Sequence, residues 1–224
     1  MKSTQEQLPG GGGGVGKSLL RYKNAVAESV NVRYTTKGRL PDSSCNRDGR
    51  EREANMEEYW DIYDRERRRT GRTHRRGDPL ASGDYHLIVH VCIFNEMNQL
   101  LIQQRVGSKR SWPNLWDVSA AGCAQAGEDS RAAAQRETAE ELGYPLDLSE
   151  EIAKFSFTFG SGFDDWWLVK REIADDSLHI QRDEVQQIRW ADAEEVRQLA
   201  RRGEFIPYHF VDKLFVMRES MGAY

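Results

Sequence analysis

Glu137, Glu140 and Glu141 stand at i, i+3 and i+4 in the stretch "RETAEELG". On a helix that spacing puts the three carboxylates within one turn, on one side. Two unit charges about 6 Å apart at an effective dielectric near 20 repel by roughly 3 kcal/mol, far more than the helix propensity of glutamate returns. A compensating positive charge is therefore expected. Arg136 can reach Glu128 or Glu140, but one arginine cannot neutralise four acids. A hard divalent cation with oxygen ligands, Mg²⁺ or Mn²⁺, can. Taken alone, the carboxylates fit a solvated acidic helix face equally well.

The segment that must carry them, "EDSRAAAQRETAEELG", is rich in Ala and Glu, runs into Gly143 and Pro145, and reads as one helix. Its Ala134, Thr138 and Leu142 form a small, mostly apolar stripe able to face a core. Strands are expected over "YWDIYD", "TGRTH", "YHLIVHVCIFN", "LLIQQR", "LWDVSAAG", "FSFTFG", "DWWLVKRE" and "VQQIRW", where β-branched and aromatic residues concentrate. Two further helices are expected over "DAEEVRQLARRG" and "YHFVDKLFVMRES". The mixture is that of a compact α+β domain. At 224 residues the chain is long enough for one such domain and a substantial extra segment.

Gly122, five residues, Glu128, seven residues, then Arg136-Glu137-Thr138-Ala139-Glu140-Glu141-Leu142-Gly143-Tyr144 resembles the Nudix box, G-x5-E-x7-R-E-U-x-E-E-x-G-U, at every fixed position. Chance would place those residues at those intervals at on the order of one in a million in a chain this long. The soft departure is Thr138, where a larger apolar residue is usual. The resemblance covers the chain from about Glu57 onward. It implies an α/β/α sandwich with a mixed β-sheet, and hydrolysis of the diphosphate linkage of a nucleoside or other organic diphosphate. By position it makes Glu137, Glu140 and Glu141 the ligands of Mg²⁺ or Mn²⁺, with the Gly122 carbonyl beside them, and Arg136 and Glu128 the groups that brace the helix and its loop. Glu184, in the loop before "VQQIRW", is where many Nudix hydrolases place an acid that reaches the metal or serves as general base; a solvated loop acid is the equal alternative.

Upstream of the box, "LLIQQRVGSKRSWPNLWDVSAAG" is similar to the branch containing the isopentenyl-diphosphate isomerases. That likeness assigns Arg105 and Lys109 to the substrate's diphosphate. Those isomerases, however, need a cysteine before the box glycine and a histidine after it, where this chain has Ala121 and Cys123. Isomerase is thus the minority reading, and a non-catalytic diphosphate- or RNA-binding module a lesser one. His86, on a mostly apolar strand, reads as a hydrogen-bonded core residue rather than a ligand. Of Trp166 and Trp167, which alternate faces on a strand, one is expected in the core and the other free to stack on a base or ring.

Residues 1–55 are rich in Gly, Ser, Asn and Arg and read as a disordered leader, either transit-like or an over-long start ahead of Met56. Within them "GGGGGVGKS" matches a phosphate-binding loop, but no apolar strand precedes it to aim its amides. The net charge of −4 argues against a dedicated nucleic-acid binder. The basic stretch "RERRRTGRTHRR" has no interleaved stacking aromatics. Three widely spaced cysteines, Cys45, Cys92 and Cys123, fit a reducing compartment, and no run of about 18 apolar residues spans a membrane. The expected setting is cytoplasmic, with an organellar one left open, and the expected partner a small diphosphate; a homodimer is also left open. A chain begun at Met56 is expected to keep its melting temperature within a few degrees and its full activity, compared with the whole chain by thermal melt and turnover.

Overall fold

A computed structural model describes residues 57–220. The glycine tract with Lys17-Ser18, the rest of the leader and Met56 lie outside the described residues. The long Val- and Ile-rich run forms β3 (His86–Phe94), which pairs in parallel along its whole length with β8 (Gly162–Lys170). Parallel strands bury both faces, which is why neither shows a clean polar alternation. Around this pair, β4 (Leu100–Arg105) and β7 (Phe155–Phe159) extend the sheet, and β9 (Val185–Ala191) runs antiparallel to β4. A separate antiparallel hairpin joins β1 (Tyr59–Tyr63) to β2 (Arg69–Arg75).

"LWDVSAAG" departs from expectation by dividing into β5 (Trp116–Asp117) and β6 (Ala120–Cys123). The first piece pairs with β4 and the second with β3, so the chain must cross between them. Ser119 stitches the crossing: its hydroxyl donates to the Leu101 carbonyl at 2.6 Å and accepts from the Ile93 amide at 2.8 Å.

The sheet has one helical layer on each face. On one side α1 (Ser130–Leu142) lays Ala133, Ala134 and Leu142 against Val89, Val91 and Ile93. On the other, α2 (Ala193–Arg201) and α3 (Leu214–Ser220) cover Cys92, Phe94 and Leu168. This is the expected α/β/α sandwich. The last helix starts later than its sequence pattern suggests: Tyr208 and Phe210 turn toward Trp166 before a 3₁₀ turn at Val211–Lys213 leads into α3. The tryptophan pair corrects another expectation, because each indole enters a different core and neither is free to stack on a ligand. Trp166 and Trp167 are 0% and 3% exposed.

The basic hairpin is tied down by acids rather than left as a cationic surface. Arg67 bonds Asp165, Arg69 lies 3.4 Å from Asp61, Arg72 grips Asp84 with both terminal nitrogens, and Arg76 pairs with Glu58. Trp60 of β1 also stacks on His86, with ring centroids 4.5 Å apart and planes 13° from parallel. His86 Nδ1–H donates to the Ser161 carbonyl at 2.8 Å, so the ring is a satisfied core group. Burial pushes its pKa down to about 4 against the pull of that bond. The folded state thus keeps His86 neutral where the unfolded chain protonates it. Its contribution is complete above about pH 6.5 and is lost as pH falls through about 4, up to roughly 3 kcal/mol. Urea unfolding across that range is expected to show the loss in the natural protein and a flatter profile in His86→Asn.

Candidate active site

The site begins with how closely α1 can approach β6. Its packed face is small, and Thr138, which is 0% exposed, returns its hydroxyl to the Ala134 carbonyl at 2.7 Å. The helix starts at Asp129, whose carboxylate caps the Ala132 amide at 2.8 Å, and stops at Gly143, which takes the left-handed conformation (φ 65°). At Gly122 the approach reaches its limit. A Cβ there would stand 2.0 Å from Glu137 Oε1. Any side chain at this position would push the Glu137 carboxylate out of its place.

Arg136 organises the acids around this contact. Its Nε and Nη2 bind the two oxygens of Glu128 at 2.7 and 3.0 Å, and Nη2 also reaches the Cys123 carbonyl at 3.0 Å. Its Nη1 donates to Glu137 at 2.9 Å and to Glu140 at 2.8 Å. Glu128 in turn accepts from the Gln125 amide at 2.8 Å, which ties the loop before α1 to the helix. The hairpin joins in, with Arg69 bonding the Glu128 carbonyl and Asp61 accepting from the Gly127 amide at 2.9 Å.

Glu141 is held apart from that cluster. It is 2% exposed, and one oxygen accepts from both Gln103 Nε2 at 2.6 Å and the Ala121 amide at 3.1 Å. Burial and then the charge of Glu137 push its pKa up to about 8. Glu137, 9% exposed, is pushed up to about 7 by burial, against the pull of Arg136. Among the described residues no three His, Cys, Asp or Glu side chains stand together as a ready metal cluster. The donor set still suits a hard cation: carboxylate oxygens of Glu137 and Glu141 face the backbone of residues 121 and 122, short of the positive charge that full ionisation needs.

The remaining sequence-named residues, Lys109, Glu184 and Arg105, each stand beside an opposite charge. Lys109 forms an ion pair with Glu184, joining the two loops beside β4 and β9, and the charge of Glu184 is felt at Glu137. Arg105, whose side chain is 12% exposed, lies 3.6 Å from Asp117 and donates to the Ser111 carbonyl at 3.3 Å. Gln103 was not anticipated. Its one signal is an amide on an apolar strand, in phase with Leu101.

A NUDIX domain model matches residues 84–214. An uncharacterized Nudix hydrolase of Listeria monocytogenes is 50% identical over 163 residues, 73% of this chain and 96% of its own length. The isopentenyl-diphosphate Delta-isomerase of Escherichia coli is 30% identical over 137 residues, 57% of this chain and 72% of the isomerase. A crystal structure from Deinococcus radiodurans shares the fold with a TM-score of 0.59 at 24% identity, covering 70% of this chain and 97% of that one.

Glu141→Gln keeps the shape of the side chain and removes a buried charge. The natural carboxyl, raised in the folded state, lowers stability as pH climbs from about 4.5 through about 8. In chelator-treated protein the variant is expected to match the natural protein near pH 5 and to melt at a higher temperature near pH 9.

Proposed function

The chain belongs to the Nudix family, and on that premise we propose that it is a divalent-metal-dependent hydrolase cleaving the diphosphate linkage of a small organic diphosphate. The observation that carries this reading is the pair of buried carboxylates, Glu137 and Glu141, pressed against a backbone that a Cβ at Gly122 would block. Mg²⁺ or Mn²⁺ would be held by Glu137, Glu140, Glu141 and the Gly122 carbonyl, and would supply positive charge against the diphosphate oxygens. Arg136 and Glu128 keep the helix and its loop in register while Glu140, half-exposed, stays within reach. Arg105 and Lys109 orient the diphosphate by charge-assisted hydrogen bonds. Glu184, already facing Lys109, is the carboxylate we assign to take the proton from the attacking water, with Glu140 and Glu141 as the other catalytic acids.

The isomerase alternative draws on the 30% identity to the E. coli enzyme. Two features weigh against it. Ala121 offers no thiol, and burial pushes the neighbouring Cys123 thiol up to about 12, a poor acid for protonating a double bond.

Mass spectrometry of the full chain against nucleotide sugars, dinucleoside polyphosphates and prenyl diphosphates, with and without Mg²⁺, tests the reading. Hydrolysis products that require Mg²⁺, and their loss by at least about a hundredfold in Glu141→Gln, are expected; that factor corresponds to roughly 3 kcal/mol in the barrier. Dimethylallyl diphosphate from isopentenyl diphosphate would establish the isomerase instead, and binding without turnover a non-catalytic module.

A further inference from the structure

Behind Arg105 a line of buried polar groups crosses the sheet face that carries α2 and α3. Arg105 Nη1 lies 3.6 Å from Asp117 Oδ2. The other Asp117 oxygen accepts from the Tyr208 hydroxyl at 2.7 Å and from the Val118 amide at 2.8 Å. His90 Nε2 is 3.0 Å from the Tyr208 oxygen, and His90 Nδ1 is 2.6 Å from Asp164 Oδ1. Asp117, Tyr208, His90 and Asp164 are all buried. The imidazole lies flat on the Trp166 indole, with centroids 4.2 Å apart and planes 5° from parallel, so it cannot swing to another partner.

Counting protons decides the state of this line. Three hydrogen bonds, from Asp164 to His90, His90 to Tyr208 and Tyr208 to Asp117, need three protons. With Arg105 beside Asp117 and the imidazole beside Asp164, we take both carboxylates as anions that bring none, and the tyrosine hydroxyl brings one. On that count the imidazole brings two. The charges then balance, with Arg105 and His90 positive against Asp117 and Asp164 negative, and a balanced line avoids the several-kcal/mol cost of an unmatched buried ion. Burial by itself works against a charged His90, and Asp164 followed by Asp117 outweighs it, with Arg105 opposing. Cys92, two residues along β3, is held protonated by burial and adds no charge.

We propose that His90 is a positioning residue: as an imidazolium clamped between Asp164 and Tyr208, it turns the Tyr208 hydroxyl onto Asp117 and so fixes the carboxylate that aims Arg105 at a bound diphosphate. The proposal rests on the diphosphate role assigned to Arg105. It also links that arm to the segment leading into α3, because Tyr208 belongs to it. A neutral His90 would leave one of the three hydrogen bonds unmade, and Asp117 would share its donors differently.

Two measurements on the full chain test this. Nitrogen NMR of ring-labelled histidine, with the His90 signal assigned by its loss in His90→Gln, is expected to find protons on both ring nitrogens near pH 7.5, where a solvent-exposed histidine is neutral. Calorimetry with inorganic pyrophosphate is expected to give a dissociation constant raised at least about tenfold by Tyr208→Phe in the natural background, and by less than about twofold when Arg105→Ala is already present. A residue that only supports the fold would weaken binding equally in both backgrounds. A singly protonated His90, additive effects of the two substitutions, or natural protein that does not bind pyrophosphate would each overturn the proposal. Pyrophosphate binding with the expected coupling, in a protein that hydrolyses no diphosphate, would sink the hydrolase reading and leave this one standing.

Discussion

The approach of α1 to β6 at Gly122 is the constraint from which the site follows. A side chain there would occupy the space of the Glu137 carboxylate, so the close packing and the buried charge are one feature. Ala133, Ala134 and Thr138 keep the helix face thin enough for the approach. Burial raises the pKa of both Glu137 and Glu141, offset in part by Arg136 at Glu137 and by the Gln103 and Ala121 hydrogen bonds at Glu141. A folded chain that carries this cost is poised to gain from a cation at the same place.

The two faces of the central parallel pair divide the work. On β3, Val89, Val91 and Ile93 support α1, while Cys92 and Phe94 face α2 and α3 and His90 stacks on Trp166 of that second core. Gln103 touches the first set through Glu141, and its cross-strand neighbour Asp117 touches the second through Tyr208. Residues 103–105 and 116–117 therefore sit where the two halves meet. A parallel pair suits this task, because with both faces covered it holds each layer at a set depth.

The β1–β2 hairpin contributes rigidity to the loop before α1. Ala126 donates its amide to the Tyr59 carbonyl at 2.7 Å, and Asp61 and Arg69 take the Gly127 amide and the Glu128 carbonyl that follow it. Seven arginines in residues 65–76 look like a nucleic-acid signal in the sequence, yet Arg67, Arg68, Arg69, Arg72, Arg75 and Arg76 each lie within ion-pair distance of an acid. Their positive charge is largely matched by neighbouring acids at the surface.

Local rules made much of this readable from the sequence. Helix α1, its end at Gly143, and the clustering of Glu137, Glu140 and Arg136 depend on spacings within a few residues, which a helix converts directly into neighbours. Most of the strands were legible because β-branched and aromatic runs have few other uses. Tertiary structure alone decided the rest. The division of "LWDVSAAG" depends on which partner each half meets. That both Trp166 and Trp167 are buried depends on helices covering both faces. The Asp164–His90–Tyr208–Asp117 line joins residues up to 118 positions apart in sequence, and no spacing records it. A hydrogen bond between distant residues is set by where the backbone closes, so its members look in the sequence like ordinary polar residues in apolar strands.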